Sequence, residues 1–327
     1  MTIAVVQPLP GIGDMIWHLP HIRAIAAHHG SPITLIAKPR SAADQIFSGE
    51  DTIRDFIWLD RNPDGGVGKH DGFGLLRMAA AIHARGFQRV YLLHHSRSIA
   101  TLMFLARIPA RYGYGVGLQR LFLNRRPFLS EEECHLTPPE QASAWLRRAG
   151  IVQLESEPTL AVDARVREAV RARFEYPAVV VGIGTSEPYK QWGAKKFAAL
   201  TRVLRDSGWQ SVVLAGGKAE RALAEEIRAV AGDEGVVIAD GWHLSDVIAL
   251  CHLAGFYVGN DTGVMNLAAA AGRRAYGLFG ATPVLTHTAR IVGIEPPGGI
   301  DKATGMDRIS LDQVLTAIVA DRGRVGP

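Results

Sequence analysis

The sequence predicts an α/β protein built from two doubly wound domains, and three observations predict it. The chain has 327 residues, more than one typical core organises and enough for two. Short runs of strand formers alternate with longer amphipathic stretches, as in a mostly parallel sheet with helices on its faces. The alternation stops in mid-chain and then resumes, which divides the chain into residues 1–155 and 156–327.

In the first half, IAVVQ (3–7) is a strand, and an amphipathic run from about Asp14 to His29 is a helix. ITLIA (33–37) and FIWL (56–59) are further strands. A helical pattern from about Gly74 to Arg85 leads to RVYLLHH (89–95), another strand. The run Leu129–Pro139 breaks the pattern, a helix follows around Gln141–Ala149, and IVQLESEPTLAV is an extended connector. After Pro177 the alternation returns. AVVVGIG (178–184), SVVLAGG (211–217), VVIAD (236–240), FYVGN (256–260) and YGLFG (276–280) are strands. Helices are expected at Lys195–Ser207, at Glu220–Ala231, from Ser245 and after Thr262.

Composition narrows the class. Hydrophobic residues make up 47% and mean hydropathy is +0.07, so the chain can bury an ordinary globular core. Cys134 and Cys251 lie far apart, with no disulfide framework and no redox or metal-ligand spacing. The N-terminal MTIAVVQPLPGIGD lacks the basic and apolar regions of a signal peptide, and no apolar stretch is long enough to span a bilayer. A cytoplasmic protein is expected.

Charge is uneven. Residues 1–150 hold 17 Lys+Arg against 12 Asp+Glu, and the remainder 19 against 20. From Gly72 to Ser130 there are nine arginines, Arg97 and Arg120 among them, and no acid. Each arginine alone reads as a solvated side chain, but together they favour an anionic partner. No recognition motif points to nucleic acid.

Ligands of doubly wound sheets sit outside the carboxyl ends of the strands, and several strands here end in suggestive sequence. In LPGIGDMIWHLP (9–20), Gly11 and Gly13 let the backbone turn and approach a ligand, and Asp14 then opens a helix, locally as its N-cap. The loop is too short for a dinucleotide fingerprint and lacks a P-loop lysine. GIGTSEPYKQW (182–192) brings Thr185, Ser186 and Lys190 to a strand end, a set suited to phosphate. In LAGGKAER (214–221), Glu220 suits ribose hydroxyls and equally suits the first turn of a helix. Trp242, in DGWHLSD (240–246), could wall a base site, whereas His243 reads as a loop residue. In GNDTGVMN (259–266), Asp261 or Thr262 would cap a helix starting near Gly263, and that helix N-terminus would attract phosphate. Histidines, cysteines and carboxylates do not cluster at metal spacing, so no metal is expected.

These motifs, in this order, resemble glycosyltransferase family 9, the bacterial heptosyltransferases of lipopolysaccharide core synthesis. The resemblance covers nearly the whole chain. It rests on GIGDMIWHLPHIRAI, GTSEPYKQWGAKKFAAL, VVLAGGKAE and GNDTGVMNLAAAAGRRAYGLFGATP. It implies a GT-B fold, two Rossmann-like domains facing across a cleft, with the last helix crossing back to the first domain. The first domain would bind the acceptor and the second the nucleotide sugar, without a metal or other cofactor. It implies Asp14 as catalytic base and Thr185, Ser186 and Lys190 on the diphosphate. Glu220 would hold ribose and Trp242 line the base; Asp261 would contact the donor sugar, and Thr262 and Gly263 phosphate. Where the family commonly has Pro-x-His after Asp-Ser/Thr-Gly, this chain has Val264 and Asn266. Gly11, Gly13, Arg97 and Arg120 fall to an anionic, lipid-linked or glycan acceptor, which would bring the protein to the inner face of the cytoplasmic membrane. The expected activity is inverting transfer of heptose from ADP-heptose. Alternatives are transfer from another nucleotide sugar, a sugar-nucleotide epimerase, and a nucleotide-sugar-binding protein without turnover.

Overall fold

A computed structural model describes residues 2–60, 72–285 and 288–322. The chain divides into two compact units, Met1–Pro158 and Thr159–Pro327.

The first unit runs β1 (Ile3–Gln7), α1 (Ile12–Trp17), α2 (Leu19–His29), β2 (Ile33–Ala37), α3 (Ala43–Ile46), β3 (Ile53–Trp58), α4 (Gly72–Ala84), β4 (Arg89–Leu92), α5 (Arg97–Leu105), β5 (Ala110–Gly113) and α6 (Pro138–Arg148). Its five strands are parallel in the order β3-β2-β1-β4-β5. Every residue of β1 and β2 is buried, as expected of inner strands covered on both faces. On one face Met78, Ala79 and Ile82 of α4 and Ala100 and Met103 of α5 pack on Ala4, Val6, Val90 and Leu92.

The second unit runs α7 (Ala164–Arg171), β6 (Ala178–Gly182), α8 (Ala194–Asp206), β7 (Ser211–Gly216), α9 (Arg221–Ala231), β8 (Val236–Asp240), α10 (Leu244–Leu253), β9 (Phe256–Asn260), α11 (Gly263–Ala270), β10 (Arg274–Leu278), β11 (Ile291–Ile294), α12 (Gly305–Arg308) and α13 (Leu311–Arg322). The sheet order is β11-β10-β9-β6-β7-β8, parallel throughout. Counted from β6, this is the strand order of a dinucleotide-binding α/β sheet. Phe197, Leu200 and Leu204 recur at helical spacing on α8 and are buried against Val179, Val181, Val212 and Leu214. Burial of each such side chain contributes roughly 1.5–3 kcal/mol.

The structure departs from the sequence reading in several places. The single helix expected from Asp14 to His29 is two, broken at His18. Pro20 has no N–H to donate to the Ile16 carbonyl, so the first helix ends and the second begins with proline in its first turn. The short elements α5, β5, α7 and β11 were not expected. Helix α13, expected to cross back to the first domain, has Val314 and Ile318 in the core of the second.

Candidate active site

In the second unit the chain winds outward from β6 to β7 and β8, then returns to place β9 on the other side of β6. The order reverses between β6 and β9, so a crevice opens at their carboxyl ends. The loops GIGTSEPYKQW and GNDTG both leave from there. Two glycines make the close approach possible. A Cβ on Gly259 would lie 2.2 Å from the Gly182 carbonyl oxygen, and one on Gly182 would lie 2.0 Å from the Tyr257 hydroxyl. That hydroxyl donates to the Asn260 carbonyl at 2.8 Å. The buried Asn260 amide donates to the carbonyls of Ile183 and Gly184, each at 3.2 Å, and to Gln191 Oε1 at 3.1 Å. One side chain thus ties the end of β9 to the loop after β6.

On this frame the structure brings Lys190 and Asp261 together. Lys190 Nζ donates to Asp261 Oδ2 at 3.1 Å, and Thr282 Oγ1 donates to the same oxygen at 3.0 Å. The lysine and aspartate side chains are mostly shielded, 16% and 17% exposed, where a charge pair is worth more than at an open surface. The expected cap is corrected. Thr262 occupies the N-cap position of α11, but its side chain makes no capping bond, and Asp261 points to Lys190 and Thr282 instead. The first-turn N–H groups therefore lack a side-chain cap beside this cluster, with Gly263 as the first helical residue. Asn266 is buried and donates to the Thr262 carbonyl at 2.9 Å.

The other expected donor residues are less gathered. Thr185 closes its own turn, its hydroxyl donating to the Glu187 carbonyl at 2.9 Å, and Ser186 is exposed. Glu220 accepts from the Gly217 N–H at 2.8 Å, which is the first-turn role its sequence also suited. The Trp242 ring has the Arg173 guanidinium over it at 4.6 Å, and that arginine also pairs with Asp246.

In the first unit the order reverses between β1 and β4, and Asp14 lies just past the end of β1. It is not the N-cap: Gly11 holds that position, and Asp14 is the third helical residue. Its carboxylate accepts a hydrogen bond from the Gly11 backbone, and a Cβ on Gly11 would come within 2.5 Å of Asp14 Oδ2. Gly11 therefore leaves room for the carboxylate, and Gly13 precedes it in the same turn. Burial raises the Asp14 pKa above the ordinary carboxylate value, partly offset by the Gly11 bond. Beneath it, buried Gln7 accepts from the Leu9 N–H at 2.6 Å and donates to the Asp14 carbonyl at 3.2 Å. Buried His18 lies with Nδ1 2.6 Å from that carbonyl and 3.1 Å from Gln7 Nε2. Burial lowers the His18 pKa to about 4, so the ring is neutral.

A cavity of about 340 Å³ lies at the carboxyl ends of these strands, lined by Pro8, Lys38, His94, Ser96 and Ser98 among others. Lys38 and His94 escaped the sequence reading, although each follows closely on a strand, the position that could have marked them. Burial first, and then the charges of His95, His18 and Lys38, lower the His94 pKa to about 4. Arg97 is exposed at the first turn of α5, and Arg120 is exposed with its guanidinium 4.8 Å above the Phe128 ring. Among the described residues no group of three or more His, Cys, Asp or Glu side chains is placed to hold a metal ion.

Comparison with known proteins agrees with this architecture. The pattern of glycosyltransferase family 9 (heptosyltransferase) matches residues 75–291. Lipopolysaccharide heptosyltransferase 2 of Escherichia coli K12 is 27% identical over 237 residues, 66% of this chain and 68% of that protein. The solved ADP-heptose lipopolysaccharide heptosyltransferase II of E. coli superposes with a TM-score of 0.78 at 22% identity, covering 98% of both chains. The E. coli heptosyltransferase WaaC with ADP-2-deoxy-2-fluoro heptose gives 0.73 at 18% identity, covering 98% of this chain and all of that one. These likenesses give the fold as GT-B, and the family pattern, spanning about two thirds of the sequence, shows that the chain belongs to glycosyltransferase family 9 and is a glycosyltransferase.

Proposed function

We propose that the protein transfers heptose, with inversion, from ADP-heptose to an anionic acceptor of the lipopolysaccharide-core type. One observation carries the donor half: Lys190, Asp261 and Thr282 meet at the strand-order reversal, beside the uncapped first turn of α11. A nucleotide diphosphate suits that place, since helix N–H groups and a lysine both favour phosphate. The similar heptosyltransferases bearing ADP-heptose in their names supply the sugar and the base.

Asp14 takes the proton from the acceptor hydroxyl as that oxygen attacks the anomeric carbon. Its raised pKa makes it a better proton acceptor than an open carboxylate. As the bond to the diphosphate breaks, Lys190 and the N–H groups opening α11 stabilise the negative charge left on the departing ADP. Protein donors thus do the work a divalent cation could do, and chelators should leave turnover intact. Thr185 and Ser186 serve the diphosphate, Glu220 the ribose through its second carboxylate oxygen, and Trp242 the adenine. Lys38, His94 and Arg97 would meet an anionic acceptor at the carboxyl edge of the first sheet. A lipid-linked acceptor would bring the enzyme to the inner face of the cytoplasmic membrane.

A melting screen of nucleotide sugars tests this reading, because a ligand that binds only the native state raises its melting temperature. ADP-heptose and other ADP-sugars should stabilise the protein more than UDP- or GDP-sugars. A clear preference for UDP-sugars would overturn the ADP-heptose assignment and leave the family standing.

A further inference from the structure

The first unit carries a surface that donor and acceptor chemistry leave unexplained. Helices α4 and α5 enclose a groove of about 730 Å³, lined by Leu76, Ala80, Phe104, Leu105, Arg107 and Arg111 among others. Its large apolar side chains face water: Leu76 is 55% exposed and Phe104 48%. The 3-10 turn Gly117–Phe122 adjoins this groove, since Phe122 packs on Phe104 with ring centroids 5.8 Å apart. In such a turn residues three apart share a face, and here those residues are Leu118, 56% exposed, and Leu121, 72% exposed. A soluble surface has no use for this many clustered, half-exposed leucine and phenylalanine side chains.

Arginines accompany them. Arg77, Arg107 and Arg125 are exposed, and Arg111 reaches over the Phe104 ring at 5.2 Å. Arg111 is fixed by its bonds to the carbonyls of Phe122 and Ile108, and its pKa is lowered by burial and then by the nearby Arg125 charge. No acid occurs between Gly72 and Ser130. Asp55 of β3 is paired with Arg85 at the end of α4, and the next acids along the chain, Glu131 to Glu133, follow Ser130 directly.

We infer that this face, Leu76, Phe104, Leu118 and Leu121 with Arg77, Arg107 and Arg125, docks on an anionic phospholipid bilayer. Charge complementarity selects the occupant. The guanidiniums meet lipid phosphates while the leucine and phenylalanine side chains enter the boundary between headgroups and acyl chains. A protein partner would have to bring an acidic and apolar face of its own. No described helix is long and apolar enough to cross a membrane, so such contact would be from one side. The inference is independent of which sugar is moved or where.

The test is sedimentation of the full-length protein with vesicles, without any transfer step. The vesicles are phosphatidylcholine alone, or phosphatidylcholine with roughly one third phosphatidylglycerol. The protein should bind the anionic vesicles at least about tenfold more tightly, and the difference should shrink at high salt. Leu118→Ser/Leu121→Ser and Arg77→Gln/Arg125→Gln should each weaken that binding about tenfold. All four positions are exposed, so both variants should keep the wild-type melting temperature and its increase with ADP. Equal binding to both vesicle types, no binding, or wild-type binding by either double variant would overturn the proposal. So would a dimer in sedimentation velocity that Leu118→Ser/Leu121→Ser dissolves, which would give the face to a second copy.

Discussion

Lys190 and Asp261 lie 71 residues apart and meet at 3.1 Å, so neither has a role separable from the other in the free protein. On the proposed reading, a diphosphate arriving beside α11 would compete with Asp261 for the lysine, and Thr282, already bonded to the same aspartate oxygen, would hold it meanwhile. Lys190→Ala should weaken ADP binding by about ten- to a hundredfold, the worth of a hydrogen bond to a charged group. It should lower kcat/KM further, since the charge on the leaving diphosphate grows in the transition state. Calorimetry with ADP checks the first part, and unchanged affinity would mean that the lysine serves only to position Asp261. The placement of both residues was legible in the sequence, because a lysine with hydroxyls and an Asp-Thr-Gly each stand at a strand end. Their pairing was not, since a long-range contact leaves no local pattern. Nor was the duty of Glu220 toward Gly217 or of Arg173 over Trp242, because a side chain's nearest partner depends on packing.

At the scale of elements, strand periodicity and helical amphipathicity were enough to read β1, β2, β8 and β9 at their observed limits. Most of the elements missed have a local physical cause. β5 and β11 are four residues long and contain glycine, too short to show a period of two. α5 reads RSIATLMFL, apolar on both its buried and its exposed sides, which blurs the helical stripe. The sequence reading gave no role to Gly259 and Gly182, which let two strands and Tyr257 crowd together. Gly259→Ala should force β9 from β6 and cost about 1–3 kcal/mol, the usual penalty of overpacking, seen as a lower melting temperature. Because Asp261 follows one residue after Asn260, ADP binding should fall with it. A variant as stable as wild type would show that the junction has room to give.

At the scale of the whole molecule, two sheets with the same reversal of strand order each present a carboxyl edge bearing charged side chains. The first holds Asp14 and the second Lys190 and Asp261. A transferase needs both a group that takes a proton from the acceptor and a group that receives the charge of the leaving diphosphate. Asp14→Asn separates these roles. Asparagine can still accept from the Gly11 backbone, so the helix start is kept. The stability effect follows from the raised pKa. A carboxylate whose folded pKa lies above its unfolded value contributes stability below that unfolded value, and the contribution is lost as pH rises through the folded pKa. Asp14→Asn lacks this titration, so its melting temperature should fall less than that of wild type as pH rises through the folded pKa of Asp14.

The central claim, that Asp14 is the base of a heptosyl transfer, is tested most directly by transfer from ADP-heptose with wild type and Asp14→Asn side by side, alongside a melting curve and an ADP titration on the same preparations. The account predicts unchanged melting and ADP affinity with turnover reduced roughly 10²–10⁴-fold, the usual worth of a positioned general base. Near-normal transfer by a well-folded Asp14→Asn protein would contradict it.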